Sequence, residues 1–327
     1  MGSPKNRLIL GTMTIGPNVE KGARITSLDD YKKCLNYLQR KGYKEIDTAQ
    51  AYSGGEQEGF TRDAGFKELG FSIASKVMPS KPRDHGPENL GKSWDSSLER
   101  LGVESADIFY LHAPDRSLSY EETMEGVDKM YKAGKFRRLG LSNYASWEVA
   151  EIVGICERRG FVRPTVYQGM YNAITRGAEA ELIPCLRKFS ITLIIYNPLA
   201  AGLFSGKYTT MEQPAEGRFA TTSSLGQLYL DRYFKQSTFD ALSVVEPIAK
   251  KHNVPLIEVA LRWCLHHSQL KPASQGGDDG LIIGISSYEQ LEQNVEACEK
   301  GPLPDEVVEA LDKAWVKARG DAPTYWR

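Results

Sequence analysis

Eight short runs rich in β-branched and aromatic residues recur along the chain, near Leu8, Ile46, Ile73, Ile108, Leu139, Val166, Ile194 and Ile282. Between them lie stretches with helical spacing: Leu28 to Lys41, Glu56 to Leu69, Glu88 to Leu101, Tyr120 to Lys132, Ser146 to Arg158 and Ala178 to Phe189, then a helical pair before Gln269. Such alternation predicts parallel strands, because consecutive parallel strands need a crossover long enough to hold a helix. Eight strand–helix units over 327 residues predict a closed (β/α)8 TIM barrel, which takes about 250 residues plus insertions. An open doubly wound sheet would carry a G-x-G-x-x-G fingerprint after its first strand, and the chain has none. No Pro/Gly-rich linker divides the sequence, so residues 1–327 are expected to form one barrel domain, with additional C-terminal helices and a long loop after strand 7.

A formal net charge of −1 offers no general attraction to nucleic acid or an anionic membrane. Basic groups such as Lys135 to Arg138 read as solvated helix ends. The five cysteines are odd in number and form no C-x-x-C pair, which argues against a disulfide framework or a zinc site and for a reducing compartment. The first residues lack the apolar core of a secretory signal. The longest apolar run, ITLIIYNPLAAGLF, is broken by Asn197 and Pro198 and cannot span a membrane as a helix. A cytoplasmic protein is the expectation, with a small molecule rather than nucleic acid or membrane as its partner.

In a barrel of this kind the C-terminal ends of the strands face the active site. Four polar residues fall there on successive units: Asp47 and Tyr52 after KEI, Lys76 after SIAS, and His112 after FYL. Each alone has an ordinary explanation, such as a cap, a loop aromatic or a core histidine, but four on neighbouring strand ends point to a site. Tyrosine, with an ordinary pKa near 10, donates protons poorly at neutral pH. A lysine ammonium beside the hydroxyl favours the phenolate and is expected to lower that pKa. Aspartate would keep the lysine charged and aimed. A neutral histidine can donate a hydrogen bond to a carbonyl oxygen. The set fits carbonyl reduction. Ser142 and Asn143, Gln168, Tyr196, Asn197 and Ser286 fall at further strand ends.

The segments DTAQAYSGGE, FYLHAPD, AGKFRRLGLSNYASWEVAEI, PTVYQGMYNAITR, YNPLAAGLFSGKY, LRWCLHHSQL and SSYEQLEQN cover much of the chain. On these segments the sequence resembles the aldo-keto reductases, and within them the aflatoxin-aldehyde reductase branch. The resemblance implies Tyr52 as general acid, Lys76 and Asp47 as its tuning pair, and His112 as the group that orients the carbonyl. It implies NADPH bound extended, without a Rossmann fold. Ser142, Asn143 and Gln168 would hold the carboxamide, which has both donors and acceptors, and Tyr196 would stack on the nicotinamide ring. Asn197, Pro198, Leu199, Gly202 and Lys207 would follow the pyrophosphate, with Gly202 permitting close backbone approach. Ser286, Gln290, Gln293 and Asn294 would meet the adenosine end at a helix start. Lys207 and Arg218 are the cations available for a 2′-phosphate, which predicts a preference for NADPH over NADH.

Between Lys207 and Lys235 no firm periodicity is visible, and inserts of that kind in compact domains are commonly functional. In the resembling branch, Tyr229, Arg232 and the final Arg327 frame the substrate beside Tyr52 and His112. Two arginines there would favour an aldehyde that carries a carboxylate. Branch relatives accept dicarbonyls, semialdehydes and aromatic aldehydes, and dimers occur among them. Two other readings compete: an NADPH-binding regulatory subunit like the channel β-subunits that resemble this family, and a barrel lyase or isomerase using His112 as a base. The complete set of four argues against the first, and the cofactor-like segments are left unexplained by the second.

Overall fold

The structure is a computed structural model that describes residues 5–215, 217–220 and 226–327. Eight parallel strands close on themselves in sequence order: β1 (Arg7–Gly11), β2 (Glu45–Asp47), β3 (Ser72–Val77), β4 (Ala106–Leu111), β5 (Phe136–Ser142), β6 (Pro164–Met170), β7 (Thr192–Tyr196) and β8 (Gly280–Gly284). The closing pair is β1 with β8, in register from Arg7 opposite Gly280 to Gly11 opposite Gly284. The (β/α)8 barrel read from the alternation is the fold observed.

Helices cover the outside: α1 (Leu28–Lys41), α2 (Gln57–Asp63), α3 (Pro87–Leu101), α4 (Tyr120–Lys132), α5 (Ser146–Arg159) and α6 (Leu182–Lys188) follow the first six connections in turn. Local chemistry sets their ends. Ser27 caps α1 by accepting from Asp30 N, Ser119 caps α4 by accepting from Glu122 N, and Gly42, Gly102 and Gly160 stop α1, α3 and α5 in the left-handed region. Two helices are shorter than their periodicity suggested. α2 stops at Asp63, and the chain then passes through Gly65 at φ 77°. The stretch from Ala178 divides into a 3-10 turn at Gly177–Glu179 and α6, because Pro184 fits only a first turn and would clash with the carbonyl of Ala180 in a continuous helix.

After β7 come α7 (Gly226–Tyr233), α8 (Gln236–Lys251) and α9 (Leu256–His266); after β8 come α10 (Tyr288–Cys298) and α11 (Asp305–Ala318). The insert expected to be irregular from Lys207 to Lys235 therefore contains a helix. α7 is fixed by burying Tyr229 and Tyr233, which belong to the tertiary core rather than to a clear helical stripe.

Strand alternation separates two cores. Ile9, Ala74, Ile108, Tyr110, Val166, Ile194 and Ile282 fill the barrel interior. The intervening residues, among them Leu8, Leu10, Phe109, Leu111, Leu139, Tyr167 and Ile195, pack outward against the helices. One residue is forced by this filling: a Cβ on Gly140 would lie 2.1 Å from Cδ1 of Tyr110, so the Tyr110 ring occupies the space where β5 has no side chain. Because side chains repeat every second residue, the interior parity continues upward to Asp47, Lys76, His112, Ser142, Gln168 and Tyr196. These polar side chains therefore collect at the strands' C-terminal mouth.

Candidate active site

At the centre of that mouth Lys76, fully buried on β3, donates to Asp47 Oδ1 on β2 at 2.5 Å and to the carbonyl of Thr48 at 2.6 Å. The other carboxylate oxygen of Asp47 accepts from Gln168 Nε2 at 2.7 Å. Burial opposes charge on both partners, pushing Asp47 up and Lys76 down, and each charge restrains the shift of the other. Thr48 was not singled out in the sequence, yet its carbonyl shares the ammonium. Its hydroxyl bonds Gln57 of α2, which donates onward to Thr61 at 2.7 Å.

Tyr52 follows β2 in a tight turn that includes Ser53 at φ 48° and Gly54 at φ 64°. Its ring lies 5.1 Å from the Lys76 ammonium, and it meets the His112 ring edge-on at 6.1 Å between centroids. The structure thus brings Asp47, Tyr52, Lys76 and His112 together. It differs from expectation in one respect: the Tyr52 hydroxyl is held well above, not below, its ordinary pKa. Burial is the main cause, and the negative charge of Asp47 the next. Burial, then the charges of Lys76 and Arg327, hold His112 well below its ordinary value, so the ring is neutral at physiological pH. Its Nδ1 is buried and has no hydrogen-bond partner among the described residues.

Asn143, just past β5, joins several groups. It adopts the left-handed conformation at φ 63°, which asparagine tolerates better than most residues. Its amide nitrogen donates to the His112 carbonyl at 2.8 Å and to Ser142 Oγ at 3.0 Å, and its Oδ1 accepts from the Tyr196 hydroxyl at 2.8 Å. Asn197, past β7, repeats the device at φ 66°. Its Oδ1 accepts from Ala201 N at 2.8 Å, its Nδ2 donates to the Tyr233 hydroxyl at 2.8 Å, and its carbonyl accepts from Asn172 at 3.1 Å. Asn172 and Tyr233 were missed in the sequence. Asn172 lies just past β6, where a search of every strand end would have found it; Tyr233 carried no such signal.

The turn after Asn197 passes through Pro198, Leu199 and then Ala200, Ala201 and Gly202, the last three with positive φ. At Gly202 (φ 98°) no atom lies within 4 Å of where a Cβ would stand, so this backbone faces open space. Lys207 is exposed, and among the described residues it forms no ion pair. The Arg218 guanidinium lies 5.0 Å from the ring centre of Tyr229, whose hydroxyl points to the Met13 sulfur. Past β8, Ser286 donates through N and Oγ to Gln290 Oε1, both at 2.9 Å, while Gln293 is exposed and Asn294 buried on α10. The positive charges of Arg232 and Arg327 both bear on the Tyr196 hydroxyl, which burial holds above its ordinary pKa. Among the described residues there is no grouping of three His, Cys, Asp or Glu side chains fit for a metal, and no helix long and apolar enough to cross a membrane.

A parallel eight-stranded barrel whose mouth gathers a buried ion pair, a tyrosine and a histidine has the architecture of a barrel enzyme. The sequence pattern of the Aldo/keto reductase family matches residues 7–316, and the chain belongs to that family. Aflatoxin B1 aldehyde reductase member 2 of Mus musculus is 42% identical over 330 residues, covering 98% of this chain and 87% of its own. Aldo-keto reductase family 7 member A3 of Homo sapiens is 40% identical over 330 residues, 98% of this chain and 96% of its own. Aldo-keto reductase pigE of Monascus ruber is 34% identical over 340 residues, 99% and 98% respectively. The protein is thus an oxidoreductase acting on carbonyl groups, in a family that characteristically draws on a nicotinamide cofactor.

Proposed function

We propose that this protein is a cytoplasmic NADPH-dependent reductase of aldehydes or ketones in which Tyr52 protonates the carbonyl oxygen. One observation carries the reading: the Tyr52 ring lies beside both the buried Lys76–Asp47 pair and the neutral His112. Reduced nicotinamide, when bound, supplies hydride to the carbonyl carbon. Negative charge then develops on the oxygen, and the proton held on Tyr52 is available there at neutral pH. The phenolate left behind is formed beside a cation that Asp47 and the Thr48 carbonyl hold in place. That is charge stabilisation prepared before it is needed. Neutral His112 has a ring nitrogen free to hydrogen-bond the carbonyl and hold it in line.

The donors and acceptors around the mouth suit a carboxamide. Gln168 commits Nε2 to Asp47 and leaves Oε1 to accept; Ser142 Oγ accepts from Asn143 and keeps its own hydrogen to donate. Tyr196 presents its ring from the same inner face. The open backbone at Gly202, with Asn197, Pro198 and Leu199 before it, suits close approach of a pyrophosphate. Ser286, Gln290, Gln293 and Asn294 are assigned to the adenosine end, with Lys207 and Arg218 toward a 2′-phosphate. Tyr229, Arg232 and Arg327 line the substrate side, where two cations favour an aldehyde bearing a carboxylate. A homodimer is the assembly to look for by light scattering.

The test follows NADPH absorbance across a panel of carbonyls, with wild type beside Tyr52→Phe. The variant should keep cofactor binding and lose about 10²-fold or more in kcat, in keeping with removal of a general acid. Full activity in Tyr52→Phe would overturn the mechanism.

A further inference from the structure

The last residues of the chain, 323–327, run as an irregular strap over the loop that follows β5. Tyr325 anchors it: the ring is buried, and the hydroxyl accepts from Ser146 N at 3.1 Å while donating to Glu181. Beyond Tyr325, both main-chain groups of Arg327 are occupied. Its N–H donates to the Asn143 carbonyl at 3.0 Å, and its carbonyl oxygen accepts from Arg116 Nη2 at 2.7 Å. The same guanidinium lies 5.8 Å from the ring centre of Trp326.

Arg116 is itself tightly held. Its Nε and Nη2 reach the two oxygens of Glu148 at 2.7 and 3.2 Å, a bidentate pairing with a carboxylate that has no exposed surface. Glu148 also accepts from Ala145 N at 2.7 Å and from the Tyr120 hydroxyl. Displacing Arg116 would leave that carboxylate buried and without its counter-charge, which strongly disfavours displacement. In contrast, the Arg327 guanidinium has no carboxylate partner among the described residues, and its charge acts on Tyr196, Tyr52 and His112 at the mouth.

We propose that Arg116 is a positioning residue for Arg327: through the buried carboxylate of Glu148 it pins the main chain of Arg327, so that the free guanidinium stands ready at the mouth for an anionic group of the substrate. This rests on the reading of Arg327 as an arm for carboxylate-bearing aldehydes. A long side chain on an untethered segment would lose much conformational freedom on capturing an anion. Fixing the N–H on Asn143 and the C=O on Arg116 meets that loss during folding, before substrate arrives. Arg116 takes no part in proton transfer, and its effect belongs in KM rather than in the chemical step. Glu148, on the first turn of α5, ties this clamp to the loop that carries Ser142 and Asn143.

The experiment compares wild type, Arg116→Gln, Arg116→Lys, Arg327→Ala and the Arg116→Gln/Arg327→Ala double variant in steady-state NADPH oxidation. Succinic semialdehyde is the charged probe and 4-nitrobenzaldehyde the neutral one. Arg116→Gln should raise KM for the semialdehyde about tenfold with kcat kept, and change the neutral aldehyde by no more than about twofold. Arg116→Lys, which retains the charge but not the fork, should fall between, and it serves if the Gln variant folds poorly. In the Arg327→Ala background, Arg116→Gln should add nothing, which a merely structural role would not produce. Additive losses, or equal KM changes for both aldehydes, would overturn the positioning role. If Arg327→Ala itself leaves both KM values unchanged, the fault lies in the reading of Arg327 as the carboxylate arm. Absence of NADPH oxidation by wild type with either probe would instead count against the proposed function.

Discussion

At the residue scale, burial rather than partnering governs the ionisation of the site. His112 is kept neutral by desolvation and by neighbouring cations, and His85 and His267 are also held below their ordinary value, chiefly by burial. The sign for stability follows directly. A histidine whose folded pKa lies below the unfolded value of 6.5 binds more protons in the unfolded chain, so its contribution is present above that pH and lost as pH falls toward the folded value. Stability measured by denaturant titration should therefore decline from pH 7 to pH 5, by up to about 1.4 kcal/mol per pH unit for each of the buried His112 and His85 and by less for the half-buried His267. His112→Gln should show a shallower decline over that window, and a slope identical to wild type would refute the assignment. Tyr52 illustrates what the linear sequence cannot carry. That a tyrosine and a lysine occupy neighbouring strand ends was visible, and suggested a lowered pKa. The raised value comes from packing, and from the negative charge of Asp47 nearby.

At the scale of elements, the strands are the most legible part of the molecule. Each of the eight runs forms a strand because β-branched and aromatic residues suit a surface that is buried on both faces. The period of two then assigns each residue to the interior or to the helices. Gly140 tests this assignment. On the interior face it leaves room for Tyr110, so Gly140→Ala forces a methyl group to within 2.1 Å of that ring in the undistorted structure. The expected cost is about 2–3 kcal/mol in chemical denaturation, and Tyr110→Leu in the same chain should restore part of it. An unchanged midpoint for Gly140→Ala would show that residue 140 does not face the interior. Helix ends were less legible. The spacing from Glu56 to Leu69 and from Ala178 to Phe189 looked continuous, but Gly65 and Pro184 imposed backbone limits that periodicity does not express. α7 was hidden for the opposite reason: its burial of Tyr229 and Tyr233 is decided by the barrel mouth beneath it.

For the whole molecule, the insert after β7, the strap at residues 323–327 and the ring of strand ends combine into one surface. Arg218 comes from the insert, and its stacking on Tyr229 places it against α7. On the proposed cofactor reading, Arg218→Ala should raise the NADPH Michaelis constant at least about tenfold more than that for NADH, the scale of one lost charge-assisted contact. Equal effects on the two cofactors would assign Arg218 to holding Tyr229 instead. Many of the residues named for this surface were readable because they sit at strand ends or in long family-like segments. Arg116 and Glu148 were not, although Glu148 lies within such a segment, because their importance comes from the contact of Arg116 with a residue 211 positions away. By itself the sequence determined the order of strands and helices, the closed barrel, and the inner-face parity that sends Asp47, Lys76, His112, Gln168 and Tyr196 to one mouth, since all of these follow from local spacing and parallel connection. Only the tertiary structure decided the protonation of Tyr52, the clamp on Asn197 by Asn172 and Tyr233, and the strap held by Arg116. Those depend on desolvation and on contacts between distant segments, which arise when the barrel closes.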